Sequence, residues 1–89
     1  MTEIISLVRM ETGQTGKIVE IHGKQGTISK MGMLGIRIGE EIKKSHQQFM
    51  KGPVVVKIGK SEVAIGFGMA TKVVVAVEEE AVDENTSNG

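Results

Sequence analysis

Glu20 and His22 stand two residues apart where a β-branched run ends, a spacing that projects a carboxylate and an imidazole to one side of a strand. With His46 on the same face they would make two imidazoles and a carboxylate, a set that suits ferrous iron or another divalent metal. The plainer reading is a pair of solvated loop histidines, because sequence spacing does not bring His46 to His22. These are the chain's only imidazoles, and cysteine is absent. A hydrolytic nucleophile needs a base poised beside it, and neither histidine neighbours a serine set in a nucleophile-elbow pattern. Thiol chemistry is closed, so the chain is expected to be no enzyme and to carry no cofactor.

Two glycine motifs approach nucleotide-binding signatures and fail them. Gly59, Lys60 and Ser61 spell the end of a phosphate-binding loop, but Val54 stands where its opening glycine belongs. Both flanks read as strand, whereas the phosphate cradle needs a helix beginning at the Lys and Ser. Gly66 and Gly68 open a dinucleotide fingerprint that Thr71 breaks, so these glycines are expected to relieve crowding at a barrel corner. The methionines at 10, 31, 33, 50 and 69 are expected to fill irregular core space rather than bind copper. Two phenylalanines, with no Trp or Tyr, are too few rings for single-strand stacking or a proline-peptide groove. Phe67 is assigned to the core, while Phe49, beside Met50 in a polar stretch, reads as an exposed anchor or a loop residue folded over the barrel end.

The elements that must carry these residues are short. Twelve glycines and repeated β-branched runs indicate a mostly β chain. Lys17 to Ile21 reads as a strand between turn glycines. Ile28, Met31 and Leu34 recur every third residue, which predicts a short helix from Gly26 to Leu34 closed by Gly35 as a left-handed cap. A strand is expected from Gly39 through Ile42, and the polar stretch Lys43 to Lys51 reads as a loop. Val54, Val56 and Ile58 alternate into a turn at Gly59 and Lys60, and Val63, Ile65 and Phe67 alternate back, the pattern of a hairpin. Val73, Val75 and Val77 make a last strand.

At 89 residues there is room for one domain. The expected division is a barrel over residues 1–79 and a disordered acidic tail over 80–89. Glu78, Glu79, Glu80, Asp83 and Glu84 hold five of the eleven acids, leaving eleven basic residues against six acids before them. The first 77 residues thus carry a formal +5 that suits an acidic protein surface, anionic lipid or nucleic acid, beside the plainer reading of a solubilising tail. Val73 to Val77 is the longest unbroken apolar run, far short of a membrane span, and the start lacks a signal peptide's apolar stretch, so a cytoplasmic protein without membrane insertion is expected.

The segment Met31-Gly32-Met33-Leu34-Gly35-Ile36-Arg37-Ile38-Gly39-Glu40-Glu41-Ile42 resembles the signature of the FeoA family, a helix end passing through leucine-glycine into a glycine and a strand. Gly13-Gln14-Thr15-Gly16-Lys17-Ile18-Val19-Glu20-Ile21 resembles that family's first glycine-flanked strand, and Gly52-Pro53-Val54 through Val63-Ala64-Ile65 its hairpin. The resemblance spans roughly residues 5 to 77. It implies a Src-homology-3-like small barrel of five to six strands with one short inserted helix. It also implies a non-catalytic accessory of ferrous iron uptake that docks to the cytosolic domain of a GTPase iron permease. The same domain resembles the C-terminal module of iron-dependent repressors, for whose helix-turn-helix 89 residues leave no room. The expected docking surface is the corner holding Met31, Met33, Leu34, Ile36 and Arg37, with the loop residues Phe49, Met50 and Lys51 beside it. Two other readings stand open: a module sensing a divalent metal through Glu20, His22 and His46, and an RNA-binding barrel, since Gly16 to Gly23 resembles a KOW pattern. Nucleic acid is not the expected partner, and ferrous iron or another divalent metal is expected at most as a weak ligand.

Overall fold

The structure, a computed structural model, describes residues 1–78. The order along the chain is β1 (Thr2–Ser6), a single 3₁₀ turn (Leu7–Arg9), β2 (Thr15–Ile21), α1 (Gln25–Met33), β3 (Glu41–Gln47), β4 (Val54–Ile58), β5 (Ser61–Ile65), a one-turn helix α2 (Phe67–Ala70) and β6 (Val73–Glu78). All six strands join one antiparallel sheet in the order β1-β6-β2-β3-β4-β5, which curls into a Src-homology-3-like small barrel. The expected division at residue 79 and the acidic tail lie outside the described residues.

Valine alternation builds the centre. Val73, Val75 and Val77 of β6 and Val54, Val56 and Ile58 of β4 all turn inward, joining Leu7, Ile18, Met31, Ile36 and Ile42 in the buried core. A strand exposes one face and buries the other, so period-two apolar residues fix which face goes in. Gly16 lets β2 approach β6: a Cβ there would stand 2.8 Å from Val77 Cγ1 and 3.0 Å from the Ala76 carbonyl oxygen. The hairpin expected around Gly59 and Lys60 forms, with Ile58 opposite Ser61 and Gly59 at φ +60°. Its return strand stops at Ile65, because Phe67 starts α2 and is only half-buried rather than a core residue.

Three further expectations are corrected. The polar stretch beginning at Lys43 is strand as far as Gln47, and only 48–53 is loop, so His46 lies in a strand. Gly66 and Gly68 relieve no crowding, since a Cβ at either meets open space. Of the methionines, Met10 and Met31 fill the core, whereas Met33 and Met50 are exposed. The strand hidden in the polar stretch owes its face to Lys44, which is 1% exposed. Its ammonium donates to the carbonyl oxygens of Val8 (3.0 Å) and Met10 (2.6 Å) and to Gln47 Oε1. An amine with acceptors converging on it satisfies backbone groups that the 3₁₀ turn leaves unpaired, which is how a lysine occupies an inward position. Strand β1 was not anticipated from sequence; it pairs with β6 along its full length, from Thr2 opposite Glu78 to Ser6 opposite Val74.

Candidate functional site

Helix α1 ends in a motif that decides which residues of the glycine-rich corner face solvent. Leu34 caps the helix and Gly35 follows at φ +93°. The Ile36 amide donates to the Met31 carbonyl (2.9 Å) and the Gly35 amide to that of Gly32 (3.0 Å), the paired bonds of a Schellman cap. The apolar contact that accompanies such a cap falls to Met31 and Ile36, and both are fully buried. Met31 and Ile36 are therefore core residues: Met31 is buried away from the docking surface expected of it, and Ile36 contributes only to the wall of the neighbouring groove.

Met33, Leu34, Arg37 and Ile38 remain outside. Met33 is 85% exposed and Ile38 65%, and Leu34 is just over one-third exposed. Backbone bonds hold the turn rigid, with Glu40 donating to Arg37 (3.1 Å) and Gly39 to Ile18 (2.7 Å). Beside this corner lies a groove of about 300 Å³ lined by Ile21, Ile28, Gly32, Ile36, Arg37 and Ile38. Its walls are apolar and Arg37 is its one charged group. Gly32 forms part of its wall, where a Cβ would make only ordinary contact with Arg37 Nε at 3.9 Å. Sequence reasoning missed Ile21 and Ile28 as lining residues, while Ile38 closes the corner expected from sequence. The available signal was the spacing of Ile28 and Gly32, four apart and hence on one helix face.

Phe49, Met50 and Lys51 occupy the tip of the β3–β4 loop, and Phe49 and Met50 are each 94% exposed. Met50 and Lys51 adopt φ of +61° and +62°, a left-handed conformation that costs a non-glycine residue about 1–2 kcal/mol. The loop closes tightly beneath them: Gln48 donates to the Pro53 carbonyl (3.3 Å), and a Cβ on Gly52 would stand 2.7 Å from Gln48 Cβ. This tip does not lie beside the corner. A Cβ on Gly35 would meet Ile58 at 3.6 Å, at the far end of β4, whereas the loop enters β4 at Val54. Four residue steps of strand, about 13 Å, part the two surfaces.

The supposed metal triad is divided. His22 Nε2 lies 3.4 Å from Glu20 Oε2. The register carries His46 away, because Lys17 faces Glu41 and the two histidines each lie five residues from that pair in opposite directions. Among the described residues no group of three or more His, Asp or Glu side chains is placed to hold a metal. Gly59 and Lys60 form a hairpin turn between β4 and β5, and Ser61 is the first residue of β5.

The FeoA domain model matches residues 5–77. The chain belongs to the FeoA family. The crystal structure of an iron uptake regulatory protein (FeoA) has a TM-score of 0.73 to this chain at 29% identity, covering 82% of this chain and 95% of its own. The solution structure of iron(II) transport protein A from Clostridium thermocellum has a TM-score of 0.77 at 25% identity, over 82% of this chain and 45% of its own. A manganese-dependent transcriptional repressor shares the FeoA fold with a TM-score of 0.79 at 18% identity, over 88% of this chain and 44% of its own. No curated protein sequence matches the chain. No helix among the described residues is long and apolar enough to cross a membrane.

Proposed function

We propose that this FeoA domain is a non-catalytic accessory of ferrous iron uptake, docking through its helix-to-strand corner on the cytosolic domain of a GTPase iron permease. Family membership and the iron uptake and iron(II) transport relatives support the iron role. The observation that carries the docking reading is the corner itself. Met33, Leu34 and Ile38 hold apolar surface in water on a backbone locked by hydrogen bonds, beside an apolar groove with one cation at its rim. Rigid, partly apolar surface with a charged rim is the anatomy of a protein contact, and presenting it preformed avoids the ordering entropy of a flexible loop.

The test is binding of the purified chain to the isolated cytosolic domain of the permease, measured by calorimetry for wild type, Met33→Glu and Ile38→Glu. Both side chains project into solvent, so stability is expected to stay within about 0.5 kcal/mol of wild type. The affinity is expected to fall tenfold or more, about 1.4 kcal/mol. Unchanged affinity in folded variants would remove the corner from the interface.

A further inference from the structure

We infer that the β3–β4 hairpin is a peripheral membrane anchor, setting Phe49 and Met50 into the headgroup boundary of a bilayer rich in anionic lipid and laying its lysines against the headgroups. This goes beyond the docking proposed above and uses another surface. The sequence supplies the charge: residues 42–61 contain five lysines and no Asp or Glu. Folding then sorts those lysines. Lys44 enters the core, so alternation turns Lys43 outward, and Val54, Val56 and Ile58 point inward, which leaves Lys57 on the outer face. The register sets Lys43 directly opposite Lys57. Like charges so placed destabilise a strand pair, and neither lysine makes an ion pair among the described residues, although Glu62 stands across from Lys57 on β5. Anionic headgroups over the pair would relieve that repulsion, and an acid-free basic hairpin is complementary in charge to such a surface.

The tip supplies the apolar part. Phe49 and Met50 are adjacent and almost fully exposed, and Lys51 follows them. Met50 and Lys51 hold left-handed backbone at positions where turn chemistry favours Asn, Asp or Gly. Large side chains kept in a conformation that disfavours them point to a place where the side chains are used. A ring, a thioether and a lysine in succession fit a bilayer interface: the first two enter its apolar boundary, and the lysine stem snorkels to keep its ammonium among the headgroups. Lys57 lies three residue steps from Val54, about 10 Å behind the loop, and Lys43 four steps from Gln47, about 13 Å. A hairpin leaning on its outer face brings both ammoniums within a Debye length, about 8 Å, of the headgroups. Neither the small apolar tip nor the lysines alone would hold the chain, since stable anchoring takes two signals together. The contact needs no spanning helix.

The probe is a vesicle of phosphatidylcholine, either pure or mixed with phosphatidylserine. The full chain is expected to cosediment with the mixed vesicles and not with the pure ones, and added salt should weaken that binding. The sequence has no Trp, so Phe49→Trp provides a single reporter at the tip. Its emission should shift to the blue on the mixed vesicles and be quenched by lipid brominated in the acyl chain. Phe49→Ala with Met50→Ala, and separately Lys43→Gln with Lys57→Gln, change exposed side chains. Each double variant is expected to bind the mixed vesicles about tenfold or more weakly while its circular dichroism spectrum stays that of wild type. No cosedimentation at low salt, equal binding to pure phosphatidylcholine, an emission that does not shift, or binding undiminished in either double variant overturns the inference. Absent vesicle binding together with a loss of permease affinity in Phe49→Ala would assign the tip to a protein contact and overturn it as well. The vesicles carry no permease, so failure here leaves the corner docking standing, and Met33→Glu should bind vesicles as wild type does.

Discussion

Lys44 shows how one side chain can hide a strand from sequence inspection. In a stretch reading Lys-Lys-Ser-His-Gln it has the residue type least expected inside, yet it is buried and surrounded by oxygens. Replacing it by Met leaves the Val8 and Met10 carbonyls and the Gln47 amide oxygen without their donor, and the expected cost is about 2–4 kcal/mol in urea unfolding. Burial lowers the Lys44 pKa below its ordinary 10.5, because desolvation penalises the ammonium. In the pH window between the lowered value and 10.5 the unfolded chain holds more protons at this site than the folded one, so this residue's contribution to stability rises with pH there. Lys44→Met lacks that rise. The stability gap between the two proteins should therefore widen as pH climbs through the alkaline range, and a gap that shrinks would contradict the burial argument.

At the scale of elements, the end of α1 separates core from surface within a few residues. Gly35 supplies the left-handed turn that the Schellman cap requires, and the cap sends Ile36 inward and leaves Met33 out. Gly35→Ala meets only ordinary contact, at 3.6 Å from Ile58, so its penalty comes from the backbone and is expected to be about 1–2 kcal/mol, read from the denaturation midpoint. The helix was visible from apolar residues at every third position together with a glycine behind them. Which residues of the corner face solvent was not, because Ile28, Met31 and Leu34 share one stripe in sequence, yet only Met31 is fully buried and the cap sends Ile36 in instead of Leu34.

For the whole molecule, the corner and the Phe49–Lys51 loop stand at opposite ends of β4. Sites more than about 7–10 Å apart with no shared partners act independently. If the permease touches both, the affinity losses of Met33→Glu and Phe49→Ala should add within about 0.5 kcal/mol in the double variant. If it touches only the corner, Phe49→Ala alone should leave affinity unchanged. Calorimetry of the four proteins distinguishes these outcomes.

The alternating valines, the glycine turns and the leucine-glycine corner determined the mostly β class, the β4–β5 hairpin, the short helix and the family, because each is a local pattern that the backbone must obey. The tertiary structure alone decided the rest. Strand β3 runs through charged residues because distant carbonyls receive Lys44. Glu20 faces outward because a bulge on β2 changes the phase of alternation, and His46 leaves His22 because the β2–β3 register sends them to opposite ends. Each of these depends on what a neighbouring strand places opposite, and a single strand's sequence does not contain its neighbour.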